Sequence, residues 1–525
     1  AEHPPHSASR VWPLDYTWHD VAWLSGRGAR QRADSPMSIY ELHIGTFTPQ
    51  GTLDAATTRL DHLTDLGITH VQLMPLNSFD GDHGWGYDGV AWFAPHRPYT
   101  GPDGPVAVKR FVDACHARGL AVILDVVYNH LGPSGNYLAQ FGEYFTDAYH
   151  TPWGPAMNLD GPGSDETRRL IIDNALAWLR DYRFDALRID AIHAFHDRSA
   201  THLLEQLRHE IDRFQSATGR RVDLVAESDL NDPRVIRSPE TGGLGMDAQW
   251  CDDFHHALHA LLTGERRGYY ADFGTVADLA KSFRCAFVHD GNYAIHRQRT
   301  HGRSTQGLTS DRFLAYAQTH DQVGNRAMGD RLTHLLPTEA LELTAALYLL
   351  SPFIPMLFQG EEWGASTPFQ YFTDHQDPDL GLAVRDGRRR EFGDFVDDPN
   401  QVPDPQDPAT FHRSKLEWDE LRKDQHAALL GWYRQLIRFR KTQPDLAPGP
   451  LRDTQTDFSE SPPWLRVRRG PLTLLFNLGP EQASIPRKND PASILLTNDD
   501  TLKTTPDHLT LKPYAVAILG PAPVA

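Results

Sequence analysis

Eight short β-rich runs alternate with helical patterns between residue 38 and about residue 443, and this alternation limits the folds open to the chain. The runs lie at 38–47, 69–76, 120–128, 186–191, 222–228, 246–251, 312–319 and 354–359. Between them, 54–66, 105–118, 165–182, 199–217, 338–350 and 426–441 carry helical periodicity. In the first helix Leu60, Leu63 and Leu66 fall on one face and Asp54 is the expected N-cap. Gly67 and Gly119 stand where a helix-ending glycine belongs, just before the next strand. The pattern predicts a (β/α)8 TIM barrel with long βα-loop insertions. An open doubly wound sheet is the competitor, but no G-x-G-x-x-G follows the first strand.

The flanks read differently. Residues 1–37 hold Pro, His, Trp and Arg without a sustained period and are expected to form an extended lead-in strapped to the barrel of residues 38–443. From 444 to 525 Pro and Thr rise, and the alternating runs 464–468, 472–477, 493–497 and 514–519 predict a C-terminal antiparallel β-sandwich. The Asp-, Pro- and Arg-dense stretch 374–409 is expected to be a long surface loop over the barrel mouth.

Charge narrows the partners. With 51 basic and 69 acidic residues the chain carries a formal charge of −18. Such a chain lacks the basic face that nucleic acid requires and suits anionic membranes poorly. A neutral substrate fits better. The longest apolar run, Ala345 to Phe358, is interrupted by Ser351, Pro352 and Pro355, so no bilayer span is expected. Cys115, Cys251 and Cys285 are scattered without CxxC spacing, and no basic region followed by an apolar stretch opens the sequence. Reduced thiols and a cytoplasmic location are the expectation.

In a barrel the loops after the strands converge on one rim, so chemistry belongs to residues that end strands. The third run ends in Asp125, Asn129 and His130, and the fourth in Arg188, Asp190 and His193. The fifth ends in Glu227 and the seventh in His320 and Asp321. A single carboxylate there is ordinarily a cap; four, with Arg and His beside them, ask for a chemical account. Retaining glycosidases need a carboxylate nucleophile and an acid/base carboxyl about 5–5.5 Å apart. Arg188, two residues before Asp190, shares its strand face and keeps it ionised. Glu227 follows the apolar Leu224-Val225-Ala226 with no cation within three residues, which suits a general acid. Asp321 is placed to oppose positive charge at the anomeric carbon.

DVVYNH, RIDAIH, AES and THD, in that order and at those strand ends, resemble the four signature segments of the α-amylase superfamily. By that resemblance Asp190 is the nucleophile, Glu227 the acid/base and Asp321 the transition-state stabiliser. It also implies that Tyr87, in GWGYD, stacks on the sugar of subsite −1, with His130, Arg188, His193 and His320 around it and Asp125 behind them. AESDLND, HDQVGNRAMGDRL and LFQGEEWGASTPFQYFTDH closely resemble the maltooligosyltrehalose trehalohydrolase family. This implies a maltooligosyltrehalose substrate (a neutral α-glucan) and a trehalose product. Branching enzymes are the nearest alternative by GYDG and FAPHRPYTGPDG, but they usually lack a loop like PFQYFTDH. The family usually carries an N-terminal β-sandwich, which about 37 residues cannot hold. Thr319 stands where the superfamily commonly has Asn.

Further residues take weaker assignments. Trp153 is read equally as a sugar platform and as a loop anchor. Gln322, Asn325, Tyr371 and Asp374 are candidates for the trehalose side, with a plain loop role as open for the last two. Glu361 and Glu362 read as a helix-capping pair. His255, His256 and His259 lack the Glu of H-E-x-x-H, and the first strand offers His43-Ile44-Gly45, not His-x-His, so solvated helix histidines are expected and no metal. Asn129 aligns with a calcium ligand of many α-amylases, an ion the resembled family usually lacks. No cofactor is expected.

Overall fold

The structure, a computed structural model, describes residues 5–27 (save 7 and 14), 37–392, 398–487 and 489–521. Eight parallel strands close into a barrel: β1 (Ile39–Leu42), β2 (His70–Leu73), β3 (Ala121–Val126), β4 (Ala186–Ile189), β5 (Asp223–Ala226), β6 (Ala248–Trp250), β7 (Phe313–Ala315) and β8 (Ile354–Phe358). They lie in chain order around the ring, β8 pairing back onto β1. Each lies within one of the eight β-rich runs but is shorter than it. Most of the remaining residues lie just past the strands, where the backbone leaves the ladder to present polar side chains.

Two-residue alternation sorts the strands into an inside and an outside. Ile39, Ile123, Ala186, Val225, Ala248, Leu314 and Met356 pack together within the ring. Tyr40, Leu124, Leu187 and Leu224 face the surrounding helices. The inward column therefore continues from Ile123 to Asp125, from Ala186 to Arg188, and from Val225 to Glu227. Apolar packing at the base fixes the polar groups at the mouth.

Helices Pro105–Ala117, Ser164–Asp181, Leu203–Thr218, Asp252–Thr263, Thr338–Leu349 and Asp424–Thr442 surround the barrel. The first expected helix is broken into Leu53–Thr57 and Leu60–Leu66, with Thr52 as N-cap. Asp54 instead pairs with Arg110 at 2.8 Å. Gly67 ends the second piece with φ 96°, a conformation costly for any side-chain-bearing residue.

After the barrel, β9 (Thr454–Glu460), β10 (Pro463–Arg469), β11 (Leu472–Asn477), β12 (Ala483–Pro486), β13 (Ser493–Thr497), β14 (Lys503–Thr504), β15 (His508–Leu511) and β16 (Val516–Gly520) form two antiparallel sheets, β9-β10-β11-β16-β13 and β12-β15-β14. Trp464, Leu475, Ile485, Leu509 and Leu519 fill the layer between them. Glu460 joins this unit to the barrel, accepting from the N–H groups of Val276 and Ala277 at 3.0 Å each. These open the helix Val276–Cys285, where an anion is favoured.

Three further expectations change. The stretch 374–409 is not one long loop: Pro378–Phe392 is a helix, opened by its proline and Asp379 and closed by Arg389 and Arg390. The lead-in contains a helix, Val21–Arg27, and its residues 28–36, like 393–397 of the loop, lie outside the described residues. The histidines of Asp252–Thr263 are not solvated: His255 and His259 are buried, and His255 bonds Ala317 O (2.7 Å) and the Tyr270 hydroxyl (2.8 Å). Burial, with like-charged His259 and His256 next, holds the His255 pKa well below the ordinary value. Among the described residues no helix is long and apolar enough to cross a membrane, and the three cysteines are free.

Candidate active site

The rim at the C-terminal ends of the strands encloses a cavity of about 440 Å³. Every predicted catalytic or sugar-contacting side chain lines it except Asp374. Four strand ends supply the charged floor, so its geometry follows from barrel register.

Asp125 on β3 lies directly opposite Arg188 on β4. Nη1 of Arg188 donates to both Asp125 oxygens at 2.8 Å and to Asp190 Oδ1 at 2.6 Å. The guanidinium is buried and stacks 4.4 Å from the Trp250 ring. Asn129 Nδ2 donates to Asp190 Oδ2 at 2.9 Å. Burial raises the Asp190 pKa, but Arg188, His130 and these donors outweigh it, and the net shift is downward. Asp190 is therefore an anion at neutral pH. Asp125, equally buried, shares its cation with Asp190 and is pushed up to about 6.

Glu227 differs. Arg188 Nη2 stands 3.7 Å from its Oε2, too far for a hydrogen bond. Burial first, and the Asp190 charge against the opposing pull of Arg188, raise Glu227 to about 7. Two carboxyls in one cavity are thus driven apart, one ionised and one protonated, the division expected of a nucleophile and a general acid. The Ala191 N–H donates to Glu227 Oε2 at 2.5 Å.

On the other side Tyr87 donates to Asp125 Oδ2 at 2.7 Å and lies 2.8 Å from His320 Nε2, its ring stacked on His320. His320 Nδ1 meets Glu41 Oε1 at 2.8 Å. Burial would discharge this imidazole, but Glu41 overcomes it and the His320 pKa is raised. Glu41, an acidic residue within an apolar strand, went unassigned in the sequence; its isolation was the available signal. Asp321 stands beside His320 at the start of a short helix, where Asn325 Nδ2 donates to its Oδ1 at 2.6 Å. Thr319 caps that helix, accepting from Asp321 N–H at 3.1 Å and donating to Gln322.

Trp153 is 47 % exposed and stacks on His130, ring centres 5.0 Å apart. It stands at the cavity edge with one face open. His193 lines the wall, its Nδ1 4.0 Å from Asp229. Tyr371 lines the opposite wall, against Trp85 and under Arg388. Asp374 instead accepts from Asp82 N–H at 2.7 Å and holds two rim loops together. Glu361 and Glu362 lie outside the cavity and are buried. Glu362 takes the hydroxyl of Tyr40 and His62 Nε2, and Glu361 the hydroxyl of Tyr433. They brace the barrel against its last helix and do not serve as caps.

Asp229, Asp252, His256, Tyr269 and Arg297 also line the cavity and were not singled out as site residues. Asp229 and Asp252 follow β5 and β6 by a few residues, so strand-end reasoning could have found them. Tyr269 and Arg297 come from long connections without a local signal. Asp252 accepts from the Tyr316 hydroxyl at 2.5 Å, and burial and the Glu227 charge push its pKa up to about 8.

A closed barrel with this charged floor is the scaffold of a glycosidase in the α-amylase superfamily. The family described as alpha amylase, catalytic domain, matches residues 25–153. A crystal structure of a Salmonella typhimurium protein described as an alpha amylase superposes with a TM-score of 0.87 at 36% identity, covering 97% of this chain and 85% of that one. A malto-oligosyltrehalose trehalohydrolase of Arthrobacter ramosus is 52% identical over 90% of this chain and 80% of its own length. That of Rhizobium sp. (strain M-11) is 48% identical over 98% and 85%. The chain belongs to the malto-oligosyltrehalose trehalohydrolase family.

Proposed function

We propose that this enzyme hydrolyses the α-1,4-glucosidic bond next to the terminal trehalose unit of maltooligosyltrehalose, releasing trehalose and a maltooligosaccharide. The observation that carries the chemistry is the opposed state of two carboxyls in one cavity, Asp190 ionised by Arg188 and Glu227 held protonated to about 7. Glu227 gives its proton to the glycosidic oxygen as Asp190 attacks the anomeric carbon. The C–O bond breaks, trehalose leaves, and a covalent β-glucosyl–Asp190 ester remains. Glu227, now a carboxylate, takes a proton from water, whose oxygen displaces Asp190 and restores the α configuration. Asp321 opposes positive charge at the anomeric carbon in both transition states. Tyr87, His130, Arg188, His193 and His320 surround the −1 glucose, and Trp153 offers a stacking face.

Gln322, Asn325 and Tyr371 are our candidates for contacts to trehalose. The reaction as written needs no cofactor or metal. The acidic balance of −18 suits a neutral glucan and not a nucleic acid or membrane partner. Free cysteines support a cytoplasmic location, and residues 38–443 and 444–525 form our catalytic and C-terminal units.

Chromatography of products from maltotriosyltrehalose, with maltopentaose in parallel, tests the reading. Trehalose plus maltotriose from the first and little from the second is expected. Comparable cutting of both would make it an amylase, and longer or branched products a glucan transferase.

A further inference from the structure

The residue after the nucleophile has an unusual backbone. Ala191 sits at φ 42°, ψ 50°, in the left-handed region that side-chain-bearing residues seldom enter. Such a conformation persists only where its surroundings impose it. Here three hydrogen bonds do so. Glu227 N–H donates to Ile189 O at 3.0 Å, Ile192 N–H to Glu227 O at 3.1 Å, and Ala191 N–H to Glu227 Oε2 at 2.5 Å. The first continues the β4–β5 ladder. The other two depend on the reversal at Ala191, which swings two successive N–H groups toward β5.

The consequence falls on one oxygen. Oε2 of Glu227 accepts a backbone N–H and faces Arg188 Nη2 at 3.7 Å, so it is the oxygen that stays unprotonated and takes the charge when the group ionises. A proton on it would meet a donor. Among the described residues no protein group donates to Oε1.

We propose that Ala191 is a positioning residue: its left-handed turn aims one N–H at Glu227 Oε2, and so keeps the transferable proton on Oε1 during both halves of the reaction. This rests on the acid/base reading of Glu227. The same turn ties the strand ends that carry the nucleophile and the acid/base together through one dipeptide, so the backbone spacing between them is fixed.

Replacing Ala191 by lactic acid, through suppression with the hydroxy acid, deletes that N–H and little else. Losing a donor to the carboxylate makes Glu227 harder to ionise. Around Glu227 stand Arg188 and Asp190 of the β4 end, His193 just beyond, Asp252 after β6 and Asp321 after β7, all retained in this variant. The alkaline limb of kcat/KM on maltotriosyltrehalose should move up by about one pH unit, and kcat should fall about tenfold or more with KM little changed. Ala191→Gly, which accepts the turn without strain, should keep the wild-type limb, and Ala191→Val, for which the turn is costlier, should lose kcat while the folded near-ultraviolet spectrum is retained. An ester variant with an unmoved limb and wild-type kcat would overturn the proposal. Loss of activity in the glycine variant alongside an unmoved limb in the ester would do the same. Wild-type enzyme whose pH profile ignores Glu227→Gln would instead refute the acid/base reading itself.

Discussion

Arg188 and Asp125 face each other in register across β4 and β3, and a single guanidinium nitrogen bonds both Asp125 oxygens while also holding Asp190. The cation that ionises the proposed nucleophile is therefore fixed from behind by a carboxylate that does not line the cavity. Removing Arg188 would leave two buried carboxyls without their cation, which costs more than losing a surface pair would.

Arg188→Lys keeps the charge but loses the planar fork, so the lysine cannot hold Asp125 and Asp190 together. We expect kcat/KM to fall by about two to three orders of magnitude, with stability lower by about 3 kcal/mol. Steady-state kinetics and a urea titration check both. Activity within a few-fold of wild type would show that Asp190 needs no fixed cation.

Asp190→Ala and Glu227→Gln should each cost several orders of magnitude in turnover while the circular dichroism spectrum is unchanged. Near-wild-type turnover in either would reassign the roles.

The pH profile follows from the two carboxyls. As the proposed general acid Glu227, raised to about 7, would supply its proton below that pH and lose it above, so kcat/KM should fall on the alkaline side from about pH 7. Asp190 is lowered, so its acid limb lies below the ordinary carboxylate range. Glu227→Gln should abolish the alkaline limb of the residual activity. A limb that persists unmoved in this variant would belong to another group.

Trp153 packs one face on His130 and leaves the other open. Truncating an exposed ring costs the fold little, so Trp153→Ala should raise KM about tenfold with Tm unchanged. A fall in Tm with KM held would make it a loop anchor instead.

Far from the cavity, His116 is buried between Asp20 (2.9 Å) and Asp185 (3.0 Å) under the Trp23 ring, one of the contacts that strap the lead-in to the barrel. Burial lowers the His116 pKa, but Asp185 and Asp20 overcome this and the net shift is upward. A histidine raised on folding contributes its full stability below about pH 6.5, its unfolded value, and loses it as pH rises through the folded value. The Tm difference between wild type and His116→Gln should therefore shrink as pH climbs above about 6.5, read by scanning fluorimetry. A difference independent of pH would mean a neutral imidazole.

The sequence made the barrel and its floor legible because strand ends announce themselves: an apolar run fixes the face, and Asp125, Arg188, Asp190, Glu227 and Asp321 follow by position. What could not be read depends on contacts between distant segments. Asp374 ties Asp82 across rim loops, and Arg297 and Tyr269 reach the cavity from long connections. The burial of His255 and His259 arises from tertiary packing on Tyr270, which no helical period reveals. The short β12, β14 and β15 carry too few residues for an alternating signal.

Proton NMR of a freshly mixed digest of maltotriosyltrehalose reads linkage and mechanism together. Trehalose should appear with maltotriose whose reducing end is first α and only later equilibrates to β. Maltotriose appearing first as the β anomer, or products without trehalose, would contradict the account.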